Sequence, residues 1–310
     1  FYEYFKDKPN VVIHKTYTDL SSSNIIVQEY IGGIPMTELI ALKDRGQNPF
    51  EVTRQKVGSD LENALRLLGE ELLICTLLAD HLPGDPHPGN LKVLSEDRIG
   101  IYDFGITGTP PENRQAFLEV VKDYMDLLNN KVDPGKIFID GLRFFANDLY
   151  RAINTVGRSL AVDANMNFTE ELKKLAVKAY EQNKSRVDFD FLVSEGQLAN
   201  LMNYTVNENN RFAITVQFDS SVMIRSADAY MTILHALGIR VKLMPKIFSN
   251  VVDRLKKERI NLPGKSETMS MDRAVDIIGD WMQQLIERDP VLFRSLIAKM
   301  NRVPKRSKDE

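Results

Sequence analysis

Asp85-Pro86-His87-Pro88-Gly89-Asn90 and, one short strand pair later, Asp103-Phe104-Gly105 are the two stretches whose reading decides the fold. The first sets a carboxylate and a carboxamide five positions apart in a loop stiffened by Pro86 and Pro88. The second sets another carboxylate at a strand end, two residues before a glycine. Chemistry on phosphate needs these residue types. One carboxylate orients an attacking hydroxyl or water and accepts its proton. An amide oxygen and a second carboxylate hold magnesium, a hard cation that takes oxygen ligands. The metal bridges phosphate oxygens and neutralises developing charge. Either stretch alone is weak, because Asp-Phe-Gly arises by chance and an Asp or Asn beside Pro and Gly is more often a turn or a helix cap. The specificity lies in their combination and order.

Working outward, Leu91-Lys92-Val93-Leu94 and Ile99-Gly100-Ile101-Tyr102 read as two short strands around the turn Ser95-Glu96-Asp97-Arg98, which connects the two stretches. Upstream, Ser59 to Asp80 is an amphipathic helix: Leu61, Ala64, Leu65, Leu68, Leu72, Cys75 and Leu78 recur at helical spacing, and Pro83-Gly84 stops it. Still earlier, Val11-Val12-Ile13-His14 and Ile25-Ile26-Val27-Gln28-Glu29-Tyr30 are β-branched runs flanking turn residues Asp19 to Asn24, which predicts an antiparallel hairpin. Gly32-Gly33 ends the second run, and Pro35 opens a helix. After Pro110-Pro111 the pattern is helical, with helices expected over 112–129, 134–146, 149–160, 169–184, 221–237, 245–258, 271–287 and 290–301. Phe189 and Phe191, alternating with Asp188 and Asp190, predict one short extended segment among them.

Composition sets limits on function. A chain of 310 residues with 43% hydrophobic and 27% charged residues can build a real core. With Lys and Arg numbering 40 against 43 Asp and Glu, the net charge is −3, so no broad basic field argues for nucleic acid. No apolar run reaches the length that spans a bilayer and no signal peptide is visible, which predicts a cytoplasmic or peripheral-membrane location. Cys75 is the one cysteine; lying in an apolar helix, it is expected to be a buried small hydrophobe. His14, His81 and His235 stand alone, with no metal-ligand spacing.

Protein kinases carry an Asp, an Asn five residues on, and then Asp-Phe-Gly. The loop Asp85-Pro86-His87-Pro88-Gly89-Asn90 in particular resembles the signature of the AarF/UbiB atypical kinases. Three further stretches carry the resemblance: Val27-Gln28-Glu29-Tyr30-Ile31-Gly32-Gly33, like a kinase hinge; the run from Asp103 through Pro110-Pro111-Glu112-Asn113-Arg114; and Leu234-His235-Ala236-Leu237-Gly238-Ile239 with Leu243-Met244-Pro245. It covers about residues 9 to 250. It implies an α+β, protein-kinase-like fold: strands and hinge of a small lobe over 1–33, the helical lobe with catalytic and metal loops over 34–130, and an all-helical part over 131–310.

By that resemblance Asp85 is the catalytic acid/base, Asn90 and Asp103 hold Mg2+, and ATP sits with its adenine on the Glu29 carbonyl and the Ile31 amide. His87 is expected to fix the loop's shape. The resemblance further implies phosphoryl transfer or ATP hydrolysis linked to ubiquinone and other isoprenoid-quinone lipids, with lipid or quinone-pathway proteins at a membrane surface as partners. Two departures stand out. Pro83 occupies the place where the family often has a His that braces the loop. The phosphate-anchoring strand Lys, its helix Glu and the family's Lys-x-Gly-Gln segment are not found, since Lys6, Lys8 and Lys15 lie in no matching context. The chain is therefore expected to be an N-terminally incomplete kinase-like domain. Two alternatives stay open at this point: a small-molecule kinase like the aminoglycoside and choline phosphotransferases, whose loop Gly84-Asp85 also fits, and a non-catalytic nucleotide-binding scaffold.

Overall fold

A computed structural model describes residues 1–128, 133–164, 218–264 and 266–300, together with 170, 173–174, 177–178, 181 and 213–214. Most of the helix expected over 169–184 and the whole extended segment expected at 188–191 lie outside them. The chain forms two compact units. One holds Phe1–Arg114 and Phe218–Leu262; the other takes in residues from Gln115 and from Pro263 onward.

The first unit is built on a four-stranded sheet of order β1-β5-β4-β2, with strands β1 (Val11–Ile13), β2 (Ile34–Pro35), β4 (Leu91–Val93) and β5 (Ile99–Ile101). β4 and β5 form the expected hairpin, Leu91 opposite Ile101 and Val93 opposite Ile99. Its turn places Glu96 and Asp97 at positive φ, 59° and 55°, a conformation the short side chain of Asp tolerates better than most. The turn is clamped to the next helix: the Asp97 carboxylate accepts from the Asp60 amide (2.6 Å) and from Asn63 Nδ2 (2.7 Å). Asp60 itself caps α4 (Leu61–Leu78), accepting from the Asn63 amide at 3.0 Å.

The first two β-branched runs behave differently from expectation. β1 pairs in parallel with β5, Val11 opposite Ile99. Residues 25–30 run antiparallel to 15–17, but through one bridge, Thr16 to Gln28, flanked by Tyr17 N–H to Val27 O (2.9 Å) and Glu29 N–H to Lys15 O (2.8 Å). Ser21 explains the short pairing: its hydroxyl donates to Tyr17 O (2.7 Å) and accepts from the Val27 amide (3.0 Å), taking groups a ladder would use. Ile25 and Ile26 remain exposed, at 62% and 72%.

At the end of this segment Gly33 has φ +92°, and a Cβ there would press into the Val93 carbonyl and Leu94 Cδ2. Gly33→Ala is expected to lower stability by about 2 kcal/mol through backbone strain, measured by chemical denaturation; an unchanged midpoint would show that the turn relaxes freely. α2 (Met36–Asp44) follows, with Pro35 at its N-cap. α3 (Pro49–Val57) was not apparent from apolar periodicity, yet its ends are marked: Asn48 Oδ1 accepts from the Phe50 amide (3.1 Å), and Gly58 closes it at φ 70°.

α4 is the spine of the unit. Leu61, Ala64, Leu65 and Leu68 are fully buried and share a core with Tyr230, Ile233 and Leu234 of α8 (Phe218–Ala236), with Leu237 just past its end, and with Leu243 and Ile247 of α9 (Arg240–Lys257). Each such Leu contributes roughly 2 kcal/mol on burial. Cys75 lies in the same core, its thiol pushed up to about 12 by burial, so it packs rather than reacts. Pro245 does not start α9 but sits inside it.

The second unit is helical in its described parts: α5 (Arg114–Leu128, from Gln115), α6 (Pro134–Phe145), α7 (Asn147–Ala164), α10 (Met271–Arg288) and α11 (Pro290–Met300). Leu142, Leu149, Ile153, Trp281 and Leu285 form its core, so Trp281 packs inward on its own unit. Among the described residues no helix is long and apolar enough to cross a membrane.

Candidate active site

The loop that holds Asp85 is fastened from three sides. Ahead of it β3 (Leu82–Pro83) pairs antiparallel with β6 (Thr107–Gly108), just past Asp103-Phe104-Gly105. The Gly84 amide donates to Ile106 O at 2.9 Å. A Cβ on Gly84 would fall 2.6 Å from Ile106 Cγ2 and 2.8 Å from Val222 Cγ1, so the chain crosses here only as glycine. From α8, Ser226 Oγ donates to Pro83 O (2.7 Å), and Arg225 reaches Asp85 Oδ2 at 3.1 Å.

Inside the loop, His87 Nδ1 accepts from the Gly89 amide at 2.9 Å. That bond leaves the proton of the neutral ring on Nε2, which lies 4.0 Å from Asp85 Oδ2. The ring covers Gly89, where a side chain would collide with it. Pro88–Asn90 forms a single 3-10 turn that buries Asn90. Asn90 Nδ2 donates to the Asp85 carbonyl (3.1 Å), which commits the amide nitrogen and turns the carboxamide oxygen away from it. Among the described residues that oxygen accepts no hydrogen bond.

Tyr102 joins this loop to the second carboxylate. Its amide donates to Asn90 O (3.3 Å) and its hydroxyl to Gly89 O. Asp103, the next residue, is thereby brought to the Asn90 end of the loop. Asp103 is exposed; its Oδ1 accepts from the Gly105 amide at 2.8 Å, which leaves Oδ2 open. Phe104 turns into the unit, stacked on Phe1 with ring centres 4.6 Å apart and 5.9 Å from His14. Burial holds the His14 imidazole below its ordinary value, so at neutral pH it is an uncharged neighbour, 2.6 Å from Gln28 Nε2.

The hinge-like segment comes to the same sheet. Lys92, two residues after Asn90, donates to Ile31 O at 2.9 Å, with its ammonium 4.9 Å from the Tyr30 ring centre and 5.4 Å from that of Tyr102. The Ile31 side chain lies over Gly100 of β5, where a Cβ would be 2.6 Å from Ile31 Cγ2. Among the described residues, the Glu29 carbonyl and the Ile31 amide have no hydrogen-bond partner, whereas the Glu29 amide is used by Lys15 and the Ile31 carbonyl by Lys92. The Glu29 carboxylate folds back to the Lys15 amide at 3.2 Å.

No three His, Cys, Asp or Glu side chains gather into a metal cage among the described residues. The donors present are instead one amide oxygen (Asn90) and one carboxylate oxygen (Asp103). Such a pair suits a magnesium ion that takes its other oxygens from phosphates and water. Local pattern gave no sign of Arg225 or Ser226, which lie about 140 residues beyond the loop they touch; the Pro83 and Asp85 partners become visible only in three dimensions.

The sequence profile of the ABC1 atypical kinase-like domain matches residues 1–133. Over those residues the chain is similar to the AarF/UbiB-type atypical kinases. The protein ACTIVITY OF BC1 COMPLEX KINASE 1, chloroplastic, of Arabidopsis thaliana is 33% identical over 137 residues, 42% of this chain and 18% of that protein. The probable protein kinase UbiB of Enterobacter is 29% identical over 148 residues, 42% of this chain and 24% of that protein. The chain thus spans about a fifth of the length of these relatives. A Mycobacterium tuberculosis protein solved as a complex with erythromycin aligns over 76% of this chain and 51% of its own, at 19% identity and a TM-score of 0.42. The resemblance read at residues 27–33, 85–90 and 103–114 falls inside the matched segment of the ABC1 domain, and that read at 234–245 lies beyond it.

Proposed function

We propose that this ABC1 domain binds magnesium-ATP and, in the intact protein, transfers or hydrolyses its terminal phosphoryl group. One observation carries the reading: the Tyr102 amide bonds the Asn90 carbonyl, while Asn90 Nδ2 bonds the Asp85 carbonyl, so the two stretches that carry Asp85, Asn90 and Asp103 are fastened to each other. In this reading Asn90 Oδ1 and Asp103 Oδ2 hold the metal. When bound, magnesium draws charge from the phosphate oxygens. Asp85 Oδ1 accepts the proton of the attacking hydroxyl or water, with Oδ2 anchored by Arg225. The unused Glu29 carbonyl and Ile31 amide supply the acceptor and donor that an adenine edge requires.

The role in isoprenoid-quinone lipid metabolism, a cytoplasmic or membrane-peripheral location, and lipid or quinone-pathway partners are proposed with it, on the strength of the family resemblance. Asp103→Asn tests the core of the reading. Magnesium-dependent affinity of the intact protein for ATP, followed by isothermal titration with and without chelator, is expected to fall roughly a hundredfold, since a neutral amide replaces a charged ligand. Equal affinity in the two proteins would remove Asp103 from the metal site.

A further inference from the structure

We infer that Arg225 is a positioning residue for Asp85, supplied by a helix far along the chain and holding the acid/base in one orientation; this rests on the proposed role of Asp85. Three residues of α8 meet the loop from one helical face. Val222 fills the space over Gly84 and Gly108, Arg225 reaches Asp85 Oδ2 at 3.1 Å, and Ser226 Oγ donates to Pro83 O at 2.7 Å. Their spacing of three and four residues puts them side by side on the helix.

Magnitudes separate positioning from simple stabilisation. The Arg225 side chain is 57% exposed and that of Asp85 20%. An ion pair so open to water contributes roughly 0–1 kcal/mol to stability. Val222 and Ser226 already fasten the helix to the loop, so the fold needs little from the guanidinium. Its effect falls instead on the carboxylate. Oδ2 is engaged by Arg225, with His87 Nε2 beyond it at 4.0 Å, and Oδ1 has no partner among the described residues. A carboxyl group fixed by one oxygen presents the other along a set direction, which is what a base must do toward an incoming hydroxyl. Within the loop's approach, Pro83 has no side-chain donor to offer the carboxylate. Arg225 provides a charged donor from outside the loop.

The experiment is steady-state kinetics of the intact protein carrying Arg225→Gln, Arg225→Lys, Asp85→Asn, or Asp85→Asn with Arg225→Gln. Arg225→Gln is expected to lower kcat roughly tenfold to a hundredfold, with KM for ATP and magnesium-nucleotide affinity within about twofold of the unmodified protein. Arg225→Lys should recover part of the loss, since an ammonium restores the charge without the fork. Added to Asp85→Asn, Arg225→Gln should cost nothing more, because the group it orients is already gone. An unchanged kcat in Arg225→Gln overturns the inference, as does a loss that falls on KM for ATP or that repeats in full in the Asp85→Asn background. Absence of metal-dependent turnover in the unmodified protein would instead overturn the phosphoryl-transfer reading itself, and the role of Arg225 with it.

Discussion

Asp85→Asn is expected to lower kcat of the intact protein about a thousandfold while leaving its affinity for magnesium-ATP nearly intact. The size follows from the role proposed for the side chain: a positioned general base is worth roughly 10²–10⁴ in rate. The substitution is close to isosteric, and an amide oxygen can still accept from Arg225, so the loop keeps its shape. What disappears is an atom that can take a proton. Nucleotide affinity should survive because the proposed metal donors are Asn90 and Asp103, and because Asn90 Nδ2 is bonded to the backbone carbonyl of Asp85, which the substitution does not change. Single-turnover phosphate release and nucleotide titration, run on the same preparation, separate the two effects. A fall in affinity with kcat preserved would mean that Asp85 ligates the metal and that the base lies elsewhere. Unchanged values for both would remove Asp85 from the chemistry.

The parts of this site that were legible in the sequence are those fixed by short-range rules. Asp85, Asn90 and Asp103 sit in loops whose flanking residues dictate their geometry: prolines at 86 and 88, a glycine at 89 under the His87 ring, and strands 91–93 and 99–101 with the short turn between them. The long helix from 61 to 78 was plain from its apolar spacing, and Asp60 marks its start. Other features depend on partners distant in sequence. Val11–Ile13 has the composition of a hairpin strand, but composition does not say whether its neighbour is residue 27 or residue 99. Parallel pairing with β5 wins because that strand, made central by β4, buries both faces of its apolar residues, while Ser21 removes ladder groups from the nearer candidate. Helix α3 escaped for the opposite reason. Its exposed face gives little periodicity, and the signals that identify it are the Asn48 cap with Pro49 and the left-handed Gly58. Arg225 and Ser226 could not be reached by local rules at all. Nothing in the pattern of their helix marks them out, and the loop they brace is brought to them by the packing of α4.

That packing carries the second large effect. Gly69→Leu should lower the stability of the first unit by about 2–3 kcal/mol and weaken catalysis along with it. Gly69 lies in the middle of α4, where glycine is a poor choice on propensity alone; leucine is a better helix former by about 0.8 kcal/mol. The glycine is there because α8 and α9 approach at that point. A Cβ would run into the Tyr230 hydroxyl and lie 2.8 Å from Tyr230 Cζ and 2.7 Å from Ile247 Cδ1. Tyr230 has little room to retreat: it is buried, and its hydroxyl donates to Leu65 O at 2.7 Å, one turn before Gly69. A larger side chain must therefore push α8 and α9 off α4, opening the core that Leu65, Leu68, Leu234 and Ile247 fill. For a unit of this size, the loss should appear as a fall in melting temperature of about 4–12 °C. Because α8 also delivers Arg225 to Asp85, kcat should drop even below the new melting temperature, in protein that is still folded. Gly69→Ala separates the causes, gaining helix propensity with the smallest possible intrusion; it should fall between the wild type and Gly69→Leu. A melting temperature that rises in Gly69→Leu, as propensity alone would dictate, would show that 218–262 does not lean on α4 as closely as the contacts at Gly69 require.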